Sequence, residues 1–173
     1  MNAKNESEPN SAKHRTNVNR QSERELVVTR IVNANARIVY EAWTKAELFS
    51  QWWVPKSCGL SLLSCDLDVR VGGGYRLVFG YGDSTMVVFG KYLEVVPPSR
   101  LVWTNEEDEG GGPVTTVTFE ETSGKTLVTV HDLYPSKEAL DEAIASGATS
   151  GMPESLDQLD EFVVTLGASH AQP

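Results

Sequence analysis

Apolar and polar residues alternate along much of the chain between residues 60 and 134, which is the period-two pattern of half-buried strands. Residues 65–69 show the pattern clearly, and residues 75–79 repeat it after three consecutive glycines at 72–74. Further strand-like segments follow at 86–96, at 101–103, at 114–121 and at 126–133. Because short turns separate these segments, the pattern predicts an antiparallel sheet built from hairpins.

Helical spacing precedes and follows the predicted sheet. A strand over residues 25–32 leads into residues 34–53, where apolar positions recur every three or four residues and predict two short helices. Asn33 or Asn35 is the expected N-cap of the first helix. A short helix is predicted over 137–145.

The last predicted helix is longer and amphipathic. Its apolar stripe consists of Met152, Leu156, Leu159, Val163 and Leu166. A curved antiparallel sheet has one face to cover, and this helix is the natural cover. The sequence therefore predicts an α+β helix-grip fold, with about six or seven strands, two short helices after the first strand and the C-terminal helix packed across the sheet.

Composition sets the boundaries of the predicted domain. Residues 1–23 are polar and almost free of apolar side chains, so they cannot bury enough surface to offset their ordering entropy. We expect a disordered tail over 1–23, one domain over 24–167 and a short C-terminal tail over 168–173. A chain of 173 residues suits a single domain of this kind.

Charge and cysteine content narrow the range of partners. The chain has 15 Lys and Arg residues against 24 Asp and Glu residues, a formal charge of -9, so we expect neither nucleic acid nor an anionic membrane as a partner. No apolar stretch is long enough for a membrane span, and the N-terminus lacks the apolar region of a secretory signal. A cytoplasmic protein with Cys58 and Cys65 as free thiols is expected, with no metal site and no cofactor.

Five motifs in a fixed order carry a resemblance to a known family. They are VYEAWT at 39–44, WWVP at 52–55, DVRVGGGYR at 68–76, GKYLEVVPPSRLV at 90–102 and GMPESLDQL at 151–159. Together they resemble the activator of heat-shock-protein-90 ATPase homologue family, within the START/Bet v 1-like (SRPBCC) superfamily, over residues 25–167. The resemblance implies a helix-grip domain with a hydrophobic cavity between the sheet and the terminal helix, and it brings no catalytic set.

The chain departs from that family at three places. Asn35 stands where many relatives carry Pro, and Met152 stands where relatives often carry Trp, which changes the shape expected for the cavity. A polar segment, 1–23, precedes the domain where two-domain chaperone activators carry a further domain, and this weakens the activator interpretation.

The candidate cavity residues are bulky side chains on the predicted strands and helices. They are Trp52, Trp53, Tyr75, Phe79, Met86, Tyr92, Trp103, His131, Tyr134, Met152, Leu156 and Leu159. Strand alternation does not say which of them face a cavity and which pack in the core. The simplest structural interpretation makes Trp52 an anchor between helices and sheet and leaves Trp53 at the rim. His131 and Asp132 must point to opposite faces of their strand, so they cannot form a dyad.

Three functions are compatible with these residues. The first is non-enzymatic binding of a small hydrophobic or amphipathic molecule, by a monomer or a homodimer. The second is a stress-related co-chaperone or protein-interaction module, with the acidic residues 106–109 as its docking loop. The third is a polyketide cyclase/dehydratase-like enzyme with His131, Tyr134 and Tyr75 as acid/base candidates. A phosphate-binding loop is not expected, because a strand and not a helix follows the glycines at 72–74.

Overall fold

Within the part of the chain that the structure describes, the frame is an antiparallel sheet of eight strands. The computed structural model describes residues 16–107 and 111–171. The strands are β1 (Asn17–Arg20), β2 (Glu25–Val32), β3 (Ser61–Leu67), β4 (Gly74–Tyr81), β5 (Ser84–Val96), β6 (Arg100–Thr104), β7 (Val114–Thr122) and β8 (Lys125–Leu133). They lie in the order β1-β2-β8-β7-β6-β5-β4-β3, so a hairpin joins every consecutive pair from β3 to β8.

The helices lie where the sequence predicts them. They are α1 (Ala36–Thr44), α2 (Ala46–Phe49), α3 (Lys137–Ala145) and α4 (Met152–Ala171), with a single 3-10 turn at Lys56–Cys58. Asn35 caps α1, because its side-chain oxygen accepts a hydrogen bond from the backbone N–H of Ile38 at 2.9 Å. Among the described helices, none is long and apolar enough to cross a membrane.

The α+β helix-grip architecture is confirmed. Leu156, Leu159 and Val163 on α4 are fully buried in the same apolar cluster as Val128 and Val130 of β8, so the helix does cover one face of the sheet. Burial of each such side chain contributes roughly 1.5–3 kcal/mol.

Two boundaries differ from the predicted ones. The strand β1 lies inside residues 1–23, which were predicted to be disordered, and this prediction is wrong for Asn17–Arg20. Its four side chains are all exposed, so pairing with β2 rests on backbone hydrogen bonds that leave no hydrophobic pattern in the sequence. It also raises the strand number to eight. The helix α4 continues to Ala171, four residues past the predicted end of the domain at 167. Residues 1–15 lie outside the described residues.

An ion pair links the sheet to α4 inside this layered structure. Arg30 occupies an inward-facing position of β2 and its side chain is only 7% exposed. Its Nη2 donates to Asp160 Oδ2 at 3.0 Å, and its Nη1 contacts the carboxylate of Asp157. The other oxygen of Asp160 accepts the backbone N–H of Asn33 at 2.9 Å. The guanidinium thus ties β2 to the helix at a buried position.

Both cysteines are free thiols, as predicted. Cys58 is exposed, whereas Cys65 on β3 packs against the apolar core. Burial, with a smaller effect of the Asp66 carboxylate, raises the pKa of Cys65 to about 11. Cys65 is therefore a structural thiol and not a nucleophile at neutral pH.

Candidate functional site

Two adjacent cavities lie on one face of the sheet. The turn after α2 and the loop that leads into α4 form their other walls. We call the first, of about 230 Å³, the Asp132 cavity, and the second, of about 290 Å³, the Tyr75 cavity. Trp53, Phe79 and Ala148 line both of them, so the two cavities share a wall. Strands β2 and β8 supply the far side of the Asp132 cavity, whereas β4, β5 and β6 supply that of the Tyr75 cavity.

The wall that carries Trp53 is held in place by α4. Ser155 Oγ donates to the backbone oxygen of Trp53 at 2.6 Å. The amide nitrogen of Gln158 donates to the backbone oxygens of Trp52 and Val54, each at 2.8 Å. Because a loop leaves its backbone carbonyls without strand or helix partners, these side chains complete the hydrogen bonding of the turn after α2. The first two turns of α4 therefore fix the position of Trp53.

Seven of the thirteen described residues that line the Tyr75 cavity are aromatic. The Trp53 and Phe49 rings stack with centroids 4.7 Å apart. On the opposite side, Tyr75, Tyr92 and Trp103 make a triad with centroid distances of 6.0–6.3 Å. Such aromatic walls offer a large apolar area together with a few polar atoms.

A glycine makes this triad possible. A Cβ atom at Gly90 would come within 1.9 Å of the backbone oxygen of Thr104 and 2.8 Å of the Tyr75 ring. Any other residue would therefore force β5 away from β6 and displace the ring. The glycine of the GKY segment has a packing role and not a phosphate-binding one.

A chain of hydrogen bonds runs along one side of both cavities. The Tyr75 hydroxyl lies 2.8 Å from the backbone oxygen of Thr104 and 3.0 Å from the side-chain oxygen of Asn105, and its one proton is shared between these two acceptors. The Asn105 amide nitrogen donates to Thr115 Oγ1 at 3.0 Å, and Thr115 Oγ1 donates to Asp132 Oδ1 at 2.6 Å. The chain begins in the Tyr75 cavity and ends on a carboxylate in the Asp132 cavity.

Burial changes the acid–base properties of this chain. Removal from water raises the pKa of Asp132, and this effect outweighs the opposing effects of the Thr115 hydrogen bond and of His131. Burial also raises the pKa of Tyr75 and Tyr92 well above the ordinary tyrosine value. The two phenols therefore stay protonated at neutral pH, and Tyr75 acts as a hydrogen-bond donor.

Comparison with known proteins identifies the family. The family model described as activator of Hsp90 ATPase homolog 1-like protein matches residues 33–163. The chain belongs to this family. No curated protein matches the sequence.

Solved structures of similar chains agree with the family fold. A crystal structure of a Rhodobacter sphaeroides protein is 22% identical with a TM-score of 0.79, covering 87% of this chain and 99% of that one. A Nitrosomonas europaea protein is 23% identical with a TM-score of 0.77, covering 86% and 99%. The solution structure of the AHSA1-like protein from Aeromonas hydrophila is 18% identical with a TM-score of 0.66, covering 85% and 98%. At these identities the likeness shows the fold.

Seven of the residues that the sequence suggested for the cavity of this AHSA1-like domain line one cavity or both. They are Trp53, Tyr75, Phe79, Tyr92, Trp103, Tyr134 and Met152. Met152 stands at the start of α4, so the family departure noted at this position does fall on a cavity wall.

The other five candidates lie elsewhere. Trp52 is fully buried in the core, and its indole N–H donates to the backbone oxygen of Ala42 at 2.9 Å, which makes it the anchor between helices and sheet. Leu156 and Leu159 are likewise fully buried in the core. Met86 is 49% exposed near the β4–β5 turn. His131 points to the outer face of the sheet, where its Nε2 lies 2.7 Å from a carboxylate oxygen of Glu25.

Several residues of this AHSA1-like site were not among the candidates. Asp132 has the same strand parity as the buried Val130 and Val128, and this parity was the available signal for its inward direction. Trp43 and Phe49 follow helical spacing, which does not separate a cavity wall from a packed core. Asn105 lies between strands, where no periodicity applies.

The raised pKa of Asp132 predicts how stability depends on pH. Well below the ordinary carboxyl pKa of 3.8, Asp132 is protonated in both the folded and the unfolded state. Its ionisation then has no effect on the free energy of unfolding. As the pH rises, the unfolded state loses its proton first, so the free energy of unfolding falls until the folded-state pKa is passed. We expect Asp132→Asn, which does not titrate, to gain stability relative to the wild type as the pH rises above the ordinary carboxyl pKa of 3.8.

Urea unfolding across this pH range measures the effect, and Glu25→Gln is a control of opposite sign. Hydrogen bonds from His131 and Ser22 lower the pKa of Glu25, so its contribution is present above the ordinary carboxyl pKa and is lost as the pH falls. Glu25→Gln should therefore lose stability relative to the wild type as the pH rises toward 4.5, with no further change above that pH. A difference between Asp132→Asn and the wild type that does not vary with pH would contradict the assignment.

Proposed function

We propose that this AHSA1-like domain binds a small hydrophobic or amphipathic molecule in the paired Asp132 and Tyr75 cavities, without chemical conversion of the ligand. The observation that carries the proposal is the composition of the walls. They combine aromatic rings with one continuous chain of hydrogen bonds along a single side. Ligand sites in proteins have this character, an apolar surface with a few convergent polar groups.

Three features support binding in preference to a cyclase or dehydratase. His131, one of the acid/base candidates, pairs with Glu25 on the outer face of the sheet and not in a cavity. Tyr75, another of the candidates, holds its proton more tightly than an ordinary tyrosine because it is buried, so it is a weak acid and supplies little phenolate as a base at neutral pH. The polar side chains that do come together, Asn105, Thr115 and Asp132, form a hydrogen-bond chain that is suited to orienting a polar group of a ligand.

Ala148 offers a direct test, because this exposed residue lines both cavities and so lies at their opening. We expect the wild type to bind N-phenyl-1-naphthylamine, a neutral apolar fluorophore, with quenching of tryptophan emission from Trp53. Ala148→Trp should place an indole in the opening and weaken binding about tenfold or more, since the added ring occupies the space through which the ligand enters.

Ala145→Trp is the matched control. Ala145 is exposed at the C-terminal end of α3, where an added indole leaves the cavities open, so its affinity should equal that of the wild type. Absence of fluorophore binding by the wild type, or equal binding by Ala148→Trp, would contradict the proposal. A search for copurified apolar material by mass spectrometry complements the titration.

A chaperone partner, the choice between monomer and homodimer, and a cytoplasmic location stay predictions. Stimulation of a purified chaperone ATPase is the measurement that tests the first of them.

A further inference from the structure

The charged residues of the two cavities all have the same sign. Among the described residues that line the cavities, Asp132 and Glu107 are acidic, and no lysine, arginine or histidine contributes to either wall. The remaining lining is apolar, aromatic or neutral and polar. A carboxylate in an apolar wall raises the local negative potential, because the low dielectric screens it poorly.

The hydrogen-bond chain has a direction that ends on Asp132. Tyr75 donates to Asn105, Asn105 donates to Thr115, and Thr115 donates to Asp132. Each link therefore presents its donor toward the carboxylate and leaves the carboxylate as the final acceptor. A carboxylate has room for about four hydrogen bonds on its two oxygens, so the bond from Thr115 leaves acceptor capacity on the cavity side.

A carboxylate at this place is costly for the free protein. The pKa of Asp132 is raised because burial removes the water that would otherwise hydrate its charged form. The charge lies on the sheet side of the cavity, whereas Arg30, the buried cation of the neighbouring strand, is bound to Asp157 and Asp160 of α4. A cationic group that enters the cavity would interact with the Asp132 carboxylate and replace the hydration that an exposed carboxylate receives from water.

We propose that the cavities select ligands that combine an apolar body with a protonated amine, and that the Asp132 carboxylate accepts hydrogen bonds from that amine. This inference rests on the proposed function and names its ligand class. An ammonium group meets both needs of the site, because it donates hydrogen bonds and neutralises a buried charge. The aromatic walls favour the same ligand, since the faces of Trp and Tyr rings attract cations.

The same chemistry disfavours carboxylic acids such as fatty acids. An anionic headgroup would meet the Asp132 carboxylate in a wall to which no described lysine, arginine or histidine contributes. Two like charges in a poorly hydrated site repel, and one of them must take up a proton for the ligand to stay. Neutral alcohols escape the repulsion but lack the charge that strengthens the hydrogen bond to Asp132.

A matched series of three small molecules tests the inference with the full chain at physiological salt. The series is 4-phenylbutylamine, 4-phenylbutan-1-ol and 4-phenylbutanoate, measured by isothermal titration calorimetry and by displacement of N-phenyl-1-naphthylamine. We expect the amine to bind about tenfold or more tightly than the alcohol, because the ammonium adds a charge–charge attraction to its hydrogen bonds with the Asp132 carboxylate, whereas the alcohol offers a neutral donor. The carboxylate should bind more weakly than the alcohol.

Asp132→Asn assigns the preference to one residue. We expect this variant to bind the amine and the alcohol with equal affinity. Glu120→Gln removes the same unit of charge from an exposed position of β7 and should keep the wild-type preference, which separates the site from a general attraction to an acidic protein. If Asp132→Asn does not fold, Asp132→Leu provides the same comparison with a side chain suited to an apolar wall.

The outcomes separate the two proposals. Binding of the fluorophore with equal affinities for amine, alcohol and carboxylate overturns the amine inference and leaves the proposed function standing. A preference for the amine that persists in Asp132→Asn also overturns it. Absence of binding by the fluorophore and by all three small molecules overturns the proposed function itself.

Discussion

Leu159→Asp unfolds the domain. Leu159 is fully buried in the apolar core cluster that α4 shares with the sheet. Burial of an unpaired charge, together with the lost apolar side chain, costs about 5 kcal/mol or more. Because domains of this size are stable by about 5–15 kcal/mol, we expect no cooperative thermal transition and a loss of near-ultraviolet circular dichroism.

Two variants keep this result interpretable. Leu159→Ala removes the same side chain without adding a charge and should lower the free energy of unfolding by about 2–5 kcal/mol. Val164→Asp places a carboxylate on the same helix at a position that is 46% exposed, and it should change stability by less than about 1 kcal/mol. A Leu159→Asp protein that melts within a degree or two of the wild type would show that α4 does not cover the sheet.

The parts of the fold that bury a periodic apolar face were predictable from the sequence. The helix α3 has the predicted bounds, Lys137–Ala145, and α4 begins at the predicted residue, Met152. The end of α4 was not predictable, since its last turns continue the helical backbone hydrogen bonds without an apolar stripe in the sequence. The strand β1 was not predicted for the same reason. An exposed polar strand forms because a neighbouring strand pairs with its backbone, and its own sequence shows no alternation of apolar and polar residues.

The candidate site was predictable only as far as alternation along a strand determines which face of the sheet a side chain points to. Tyr75 and Phe79 alternate with outward residues on β4 and do reach the cavities. Met86 pairs with Phe79 across β4 and β5, yet it lies near the hairpin turn, so parity alone was misleading there. The chain from Tyr75 to Asp132 joins residues that are far apart in sequence, and such contacts exist only once the sheet has formed.

Arg30→Met is the second variant for which we expect a large loss of stability. Met keeps much of the aliphatic stem but removes the cation, so the carboxylate of Asp160, with its side chain 11% exposed, stays buried without its partner. Removal of one member of a buried ion pair costs about 3–5 kcal/mol, because the remaining charge is desolvated and uncompensated. Urea unfolding of the variant should show this loss in the midpoint with an unchanged slope.

A surface pair and a rescue variant define what the ion pair contributes. Arg37→Met breaks the exposed pair with Glu41 on α1 and should cost about 0.5 kcal/mol or less. Adding Asp160→Asn to Arg30→Met removes the uncompensated charge and keeps an oxygen for the backbone N–H of Asn33, so part of the stability should return. If Arg30→Met costs no more than Arg37→Met, the contact between β2 and α4 depends on apolar packing alone, and Arg30 does not tie the helix to the sheet.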